Sequence, residues 1–235
     1  MTCCHRLTPV NYQNPKLDLE FSCPAKTDIL NKPSLPGKAR PFQFTAPIYK
    51  TSLPAAEFKR ASVTVIWGRN SLLEFDQAGL LFIRPHANLA DPNSTNEGDA
   101  ETHPRFVKIG AEVFMGRMFY AVTGSNRTAP DWSLWPVPEA FKRTSTLTIE
   151  MVRHGALLAA FLLEEHGNHV KKTLIRTIPW CFEDIKGGDP DIWVGVYAAR
   201  PDLDGIGDGA PLKVQFKGLE IETTEGVIKC PLCAI

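Results

Sequence analysis

Three stretches of the sequence place polar or aromatic side chains and a glycine at alternate positions. These residues are Gln77 and Gly79; Lys108, Gly110 and Glu112; and Trp193, Gly195 and Tyr197. Alternate residues of a β-strand point to the same face of a sheet. If the three strands are neighbours, they would form a trough with glycine at its floor. An aromatic pocket with a few polar groups is the usual form of a ligand site.

Lys108, Glu112 and Gln77 are the candidate catalytic residues of this trough. Lys108 and Glu112 lie about 13 Å apart along one strand, so they would bracket a small ligand rather than pair with each other. Lys108, Gln77 or Tyr197 would polarise a carbonyl as a hydrogen-bond donor, and Glu112 would act as a base if buried. The alternative is that Lys108 and Glu112 each form a cross-strand ion pair on a solvated sheet face.

Aromatic residues supply the candidate contacts to a flat ligand. Trp193 and Tyr197 would stack on it, and Trp132 and Trp135 would rim the trough. The alternative for at least one of the two rim tryptophans is that it anchors a loop to the core.

Three further binding candidates belong to the stretch 75–84. Gly79 would allow a close approach by backbone or ligand. Asp76 faces away from Gln77 in a regular strand, and it reaches the rim only if a bulge forms near Gly79. Arg84 is either a ligand contact or an exposed surface arginine.

Paired carboxylates are the signature of glycoside hydrolysis, which needs two acids flanking the scissile bond. The strand pairs with suitable spacing are Glu74 with Asp76 and Glu220 with Glu222. The first pair faces away from Gln77, and the second lies on the final strand. The sequence therefore disfavours a glycoside hydrolase.

The charge balance limits the partners of this protein. Its 235 residues contain 26 Lys and Arg and 26 Asp and Glu, so the net charge is zero. This argues against binding to nucleic acid or to an anionic membrane. The N-terminal residues lack the apolar core of a signal peptide, and we expect a cytosolic protein. The expected partner is a small-molecule ligand, and a homodimer is left open.

The six cysteines raise the question of a metal site. Cys230 and Cys233 have the spacing of zinc ligands, and Cys3 and Cys4 would complete the site if the termini met. Adjacent cysteines chelate poorly, so we expect free thiols in two tails, no metal and no other cofactor. Whether Cys230 and Cys233 form a disulfide is left open.

The pattern along the chain predicts one all-β domain. Residues 1–40 are rich in proline and form an extended arm packed on the domain, 41–225 form the β-sandwich, and 226–235 form a tail. About ten short strands occur at regular spacing with almost no helical period, which is typical of a sandwich or jelly roll. The segment 87–104 is a long polar loop, and 131–135 is an aromatic segment between two prolines.

Five motifs in order give the chain a family resemblance. They are Phe75-Asp-Gln-Ala-Gly-Leu-Leu, Val107-Lys-Ile-Gly-Ala-Glu, Asp131-Trp-Ser, Leu147-Thr-Ile-Glu and Trp193-Val-Gly-Val-Tyr-Ala-Ala-Arg-Pro. Over residues 24–222 the chain resembles the fungal "regulation of enolase" proteins and their bacterial relatives of unknown function. The resemblance implies a concanavalin A-like (lectin/glucanase) jelly-roll β-sandwich of two antiparallel sheets. One sheet would be concave, with Gln77, Lys108 and Trp193 on that face.

The chain departs from the family pattern in two places. Leu30 or a residue near it stands where a tryptophan is expected, and the loop 87–104 is longer than usual. Both differences would reshape one mouth of the groove.

Three classes of function remain open at this point. The main hypothesis is a small-molecule-binding sandwich that binds or acts on an organic ligand. As an enzyme it would be a cofactor-independent cyclase or isomerase of fungal secondary metabolism, for example of the hetero-Diels–Alder type. The alternatives are a carbohydrate-binding, lectin-like module and a regulatory partner protein of the kind that the family name implies.

Overall fold

The protein is a two-layer β-sandwich. The computed structural model describes residues 7–12, 19–31, 42–68, 72–99, 101–126, 129–183, 191–207 and 209–229. Its two large sheets are antiparallel throughout, which confirms the predicted all-β sandwich of two antiparallel sheets.

Sixteen strands make up the described fold. In chain order they are β1 (Thr8–Val10), β2 (Glu20–Cys23), β3 (Ile29–Asn31), β4 (Phe42–Phe44), β5 (Ile48–Pro54), β6 (Phe58–Trp67), β7 (Gln77–Arg84), β8 (Arg105–Phe114), β9 (Arg117–Ser125), β10 (Pro130–Pro136), β11 (Thr146–His154), β12 (Leu157–His166), β13 (His169–Ile178), β14 (Asp191–Ala199), β15 (Leu212–Thr223) and β16 (Gly226–Lys229).

The front sheet has the strand order β1-β5-β14-β7-β8-β9-β10, so the three glycine-containing strands are adjacent, as the sequence hypothesis requires. The back sheet has the order β13-β12-β11-β6-β15-β16, and β2 also pairs with β15. The strands β3 and β4 pair only with each other in the described structure. We call this pair and its flanking residues, 27–31 and 42–46, the strap.

Helical structure is minor in the described ranges. A 3-10 turn spans Ala55–Glu57, and one α-helix, α1, spans Glu139–Thr144. The sequence pattern did not predict α1, and it predicted only an aromatic segment where β10 forms. Residues 179–182 form a non-helical turn. None of the helices in the described ranges is long and apolar enough to cross a membrane.

The predicted arm and tail contribute strands to the sandwich. β1 pairs with β5 of the front sheet, and β2 pairs with β15 of the back sheet. Leu19 and Phe21, from the segment predicted as an arm packed on the domain, are buried in the main core. Residues 226–229 form β16 against β15. The division into arm, sandwich and tail stays a prediction, because much of the arm and all of 230–235 lie outside the described residues.

Side-chain alternation divides the front sheet between two apolar clusters. Ala78, Leu80 and Phe82 point inward and pack with Val107 and Ile109 in the main core between the sheets. This burial of apolar surface on the inner faces is what holds the layers together. The prediction of which side chains of β7 and β8 point inward, made from their alternation along each strand, is therefore confirmed.

The outer face of the front sheet carries the second cluster, because the strap covers part of it. Ile29 and Phe44 of the strap pack with Leu81, Ile83 and Trp193 of the sheet. The outer face is thus buried beneath the strap and open beyond it. The opening lies toward Gln77 and Glu112, which face each other across β7 and β8.

Glycines in the front sheet are there because neighbouring backbones come close. A Cβ atom at Gly79 would lie 2.0 Å from the Ile109 carbonyl oxygen and 2.6 Å from the Gly110 Cα atom. The equivalent atom at Gly195 would lie 1.8 Å from the Tyr49 carbonyl oxygen. These glycines therefore allow backbone contact within the sheet, which is one of the two roles that the sequence predicts for Gly79.

We expect Gly79→Ala to destabilise the fold by about 1–3 kcal/mol or more, because the neighbouring backbone has to move to admit a methyl group. Urea unfolding of the variant measures this. Gly124→Ala is the matched control, since a Cβ there would lie 3.4 Å from the Trp180 ring, in ordinary contact. The control should change the free energy of unfolding by less than about 1 kcal/mol. Equal effects at the two positions would show that the close approach is not what the glycine is needed for.

Candidate functional site

A cavity of about 260 Å³ opens on the outer face of the front sheet, next to the strap. Its polar lining comes from the strap, β7, β8 and β9, and consists of Asp28, Asn31, Gln77, Lys108, Glu112 and Thr123. Its apolar lining comes from the strap, the residues before β7, β10 and the loop after β14, and consists of Leu30, Phe75, Pro130, Trp132, Pro201 and Leu203. The structure therefore brings together all three candidate catalytic residues.

An ion pair joins the strap to the sheet at the edge of this cavity. Lys108 Nζ donates to Asp28 Oδ1 over 3.0 Å, and both side chains are buried. The same oxygen accepts from the backbone N–H of Ile29 at 2.7 Å and from Gln77 Nε2 at 3.4 Å. A buried carboxylate with three donors is well satisfied, which is the condition for burying such a pair. The alternative of a cross-strand ion pair on a solvated face is therefore wrong for Lys108, because its partner comes from the strap and both side chains are buried.

Glu112 is the second carboxyl group that lines the cavity, beside Asp28. It is 6% exposed, and its Oε2 accepts a hydrogen bond from Trp132 Nε1 at 3.0 Å. Burial raises the pKa of Glu112 to about 7, against the opposing effects of Lys108 and the Trp132 hydrogen bond. The nearby charges of Asp28 and Glu74 raise it further. Glu112 therefore changes charge near neutral pH, as a general acid or base does.

Gln77 connects the cavity to the buried interior. Its Nε2 donates to Asp28 and to the Phe75 carbonyl oxygen, and its Oε1 accepts from the Tyr197 hydroxyl at 3.4 Å. Tyr197 lies behind the cavity wall in the outer cluster rather than on its surface. Burial raises the pKa of Tyr197 well above its usual value, so the phenol keeps the proton that it donates to Gln77. The prediction that Tyr197 stacks on a ligand is wrong, because Tyr197 instead orients Gln77.

Trp193 is sealed away from any ligand. It is 1% exposed, it packs edge-on to Phe44 of the strap, and Lys50 Nζ lies 3.9 Å from the centre of its ring. The prediction that Trp193 stacks on a ligand is therefore wrong. It is on the predicted face of the sheet, but the strap covers that part of the face.

Trp132 is the aromatic residue that the sequence places correctly. It is 38% exposed and lines the cavity, with its ring in edge-to-face contact with Phe114 at 4.9 Å. Trp135 is also exposed but is absent from the cavity lining. Gly79 also lies outside the lining, beneath the polar side chains.

Asp76 and Arg84 point away from the cavity. β7 pairs with both neighbours without a shift in register, so no bulge brings Asp76 to the rim. Asp76 is fully buried, and its two oxygens accept from Arg200 at 3.0 and 2.7 Å. Arg84 is 8% exposed and donates to the carbonyl oxygens of Cys181 and Glu183. Both predictions for Arg84, ligand contact and exposed surface residue, are therefore wrong.

The acid pairs considered for glycoside hydrolysis are absent from the cavity. Asp76 is held by Arg200, and Glu74 accepts from the backbone of the turn at Met115. Glu220 and Glu222 are both bound to Arg60 on the back sheet.

Sequence reasoning missed the contribution of the strap. Asp28 and Asn31 follow no recognisable motif, although the departure from the family pattern near Leu30 marked this segment. Asn31 Nδ2 donates to Ser125 Oγ at 2.7 Å, which fixes the strap above β9. His103, which falls within the loop predicted at 87–104, is fully buried and stacks on Phe42 of the strap.

Metal ligation has no candidate among the described side chains, where no group of three or more His, Cys, Asp and Glu residues is suitably placed. Cys23 and Cys181 are buried free thiols. The four terminal cysteines, Cys3, Cys4, Cys230 and Cys233, lie outside the described residues.

We expect Lys108→Met to cost about 3–5 kcal/mol of stability, because it leaves the Asp28 carboxylate buried without its counter-ion. Adding Asp28→Asn should recover part of this loss, since the amide oxygen still accepts from Ile29. Denaturant unfolding of the two single variants and the double variant measures the coupling. Lys171→Met, which removes an exposed lysine paired with Glu164, is the control and should cost less than about 1 kcal/mol. Additive effects of the two buried substitutions would contradict the pairing.

The raised pKa of Glu112 makes a prediction for stability against pH. Between the usual value of 4.5 and about 7 the folded protein keeps a proton that the unfolded chain releases. The free energy of unfolding should therefore fall by about 3 kcal/mol from this group as the pH rises through that window. Glu112→Gln, which keeps an acceptor for Trp132, should remove this fall, whereas the exposed control Glu165→Gln should not. Parallel pH profiles for wild type and Glu112→Gln would show that Glu112 titrates normally.

Comparison with known proteins places the chain in a family and gives it structural neighbours. An uncharacterized protein of Emericella nidulans is 35% identical over 218 residues, which cover 91% of each chain. A functionally unknown protein from Saccharomyces cerevisiae has a similar structure, with a TM-score of 0.64, 17% identity, and coverage of 94% of this chain and 97% of that one. Residues 7–224 match a family described as "Protein of unknown function (DUF1349)". The chain therefore belongs to this family, over a span slightly longer than the resemblance in the sequence motifs indicates.

Proposed function

We propose that this protein binds a small organic molecule in the cavity between the strap and the front sheet. The observation that carries the proposal is the convergence of polar groups on one side of an otherwise apolar cavity. Gln77, Lys108 and Glu112 come from adjacent strands, and Asp28 comes from the strap. A concave, mostly apolar site with a few fixed polar groups is the usual form of a small-molecule site.

The polar groups are held in place before any ligand arrives. Lys108 is fixed by Asp28, Gln77 by Asp28 and Tyr197, and Glu112 by Trp132. Side chains fixed in this way lose little conformational entropy on binding, which favours affinity for a ligand that matches them. The cavity volume of about 260 Å³ lies below the usual range for drug-sized ligands, so the ligand is small.

A catalytic role is the second candidate, and Glu112 is the observation that favours it. A carboxyl group with a pKa of about 7 transfers protons efficiently at neutral pH. Lys108, held by Asp28, would polarise a carbonyl of the substrate, and the apolar walls would enforce a reactive pose. A cyclisation or isomerisation, including the hetero-Diels–Alder type, would fit this chemistry. In this case the protein would convert the ligand in the cavity instead of only binding it.

Two further readings compete with an unspecified organic ligand. A carbohydrate would use Trp132 at the mouth of the cavity as its platform and the carboxylates as acceptors for its hydroxyl groups. A regulatory partner protein, as the "regulation of enolase" name implies, would leave the cavity without a ligand. Formation of a homodimer, which the sequence leaves open, would be independent of which of these functions the protein has.

The test is a ligand screen with a blocked cavity as its reference. Leu30→Trp places a large side chain in the strap wall of the cavity, and Leu174→Trp makes the same change at an exposed site on β13. Libraries of small organic molecules and of mono- and disaccharides are screened by native mass spectrometry and ligand-observed NMR. We expect ligands that bind wild type and Leu174→Trp, and that bind Leu30→Trp at least about tenfold more weakly, a loss of 1.4 kcal/mol or more.

The same screen separates the candidate functions. A bound compound that changes in structure with wild type but not with Glu112→Gln supports catalysis. Binding by saccharides alone supports the carbohydrate-binding alternative. Ligands that bind Leu30→Trp as well as wild type do not occupy the cavity, and a screen without ligands favours the partner-protein alternative; either result overturns the proposal.

A further inference from the structure

We infer that the ligand of this cavity is a small organic cation, a protonated amine or quaternary ammonium ion with an apolar body, whose charge lies against Glu112. The inference rests on the proposed function and specifies the chemical class of its ligand. Three features support it: the charges around the cavity, the free oxygen of Glu112 and the aromatic walls beside it.

The charges around the cavity leave an excess of negative charge. Two carboxyl groups, Asp28 and Glu112, line it, and a third, Glu74, lies close enough to act on Glu112. Lys108 is the cation among the described lining residues, and its ammonium group is bound to Asp28. Pairing Lys108 with Asp28 leaves the charge of Glu112 without a counter-ion. A bound cation would supply that counter-ion, whereas an anionic ligand would meet a carboxylate.

One carboxylate oxygen of Glu112 is available to a ligand. Its Oε2 accepts from Trp132, and its Oε1 has no hydrogen-bond partner among the residues that the structure describes. A buried carboxylate is stabilised by a second donor or by a nearby cation. The Oε1 atom therefore suits an N–H donor of a protonated amine or the charged face of a quaternary ammonium group.

Aromatic side chains flank this carboxyl group. Trp132 and Phe75 both line the cavity, with ring centres 6.4 Å apart and planes inclined at 54°. The faces of aromatic rings attract cations, tryptophan most strongly, and the attraction grows when the cation is desolvated. Aromatic rings and a carboxylate that line one cavity supply the two interactions that bind organic ammonium ions.

Binding of a cation should be linked to the proton of Glu112. The charged and hydrogen-bonding groups that act on this carboxyl are Lys108, Trp132, Asp28 and Glu74. Since Lys108 is already paired, a ligand cation adds a new stabilising charge for the ionised form. The ligand should therefore bind more tightly above pH 7 than below it, and its binding should release a proton near neutral pH.

The test compares cations with neutral molecules of the same shape. Choline is paired with its uncharged carbon isostere, and benzylamine with benzyl alcohol. Affinities are measured by NMR titration and calorimetry at about pH 8.5 and about pH 5.5, on either side of the Glu112 transition. At the higher pH we expect at least one cation to bind at least about tenfold more tightly than its neutral partner. The difference should shrink to about threefold or less at the lower pH.

Variants connect this preference to Glu112. Glu112→Gln keeps the Trp132 hydrogen bond and should remove the preference at the higher pH, and Trp132→Leu should weaken it. Glu165→Gln, at an exposed position on β12, should leave it unchanged. A preference for cations that survives in Glu112→Gln overturns the inference, because the charge would then be recognised elsewhere.

The outcomes for the two proposals can be told apart. If neutral ligands bind in the cavity as tightly as cations at the higher pH, or if neutral library compounds bind there and no cation does, the small-molecule function stands and the cationic class is wrong. If neither these probes nor the library compounds bind, both proposals fail.

Discussion

The buried ion pair between Lys108 and Asp28 is the constraint on which the candidate site depends. The two residues are 80 positions apart in the chain, and one belongs to the sheet and the other to the strap. A buried pair of charges adds little net stability, because desolvation offsets the attraction. What the pair fixes is the position of the strap, because the Asp28 carboxylate must meet the Lys108 ammonium group. The pair therefore sets where the strap ends and where the open cavity begins.

The facing of the front-sheet strands could be predicted from sequence because it depends only on local alternation. Gln77, Lys108 and Glu112 were grouped correctly for that reason, and their strands are adjacent as expected. What covers a face cannot be read from the same alternation. Trp193 and Lys108 look equivalent in sequence, yet the strap buries one beneath it and leaves the other at its edge.

Long-range pairing accounts for the remaining errors. Asp76 could be kept as a rim candidate, conditional on a bulge, because its partner, Arg200, lies 124 residues away and no pattern connects the two. Asp28 and Asn31 were missed for the same reason, since the strap forms only when 27–31 meets 42–46. The fold class needed only strand periodicity, whereas the site needed knowledge of which segments pack together.

The strap belongs to neither large sheet, so the pocket wall has two parts of different origin. Glu112 and its neighbours lie on strands of the front sheet, whose positions the whole sandwich fixes. Leu30 and Asn31 lie on β3, which pairs only with β4 in the described structure. Substitutions in that segment can alter the shape of the pocket without disturbing the sandwich. On this scaffold, changes in the strap would reshape the pocket while the polar groups on β7 and β8 keep their positions.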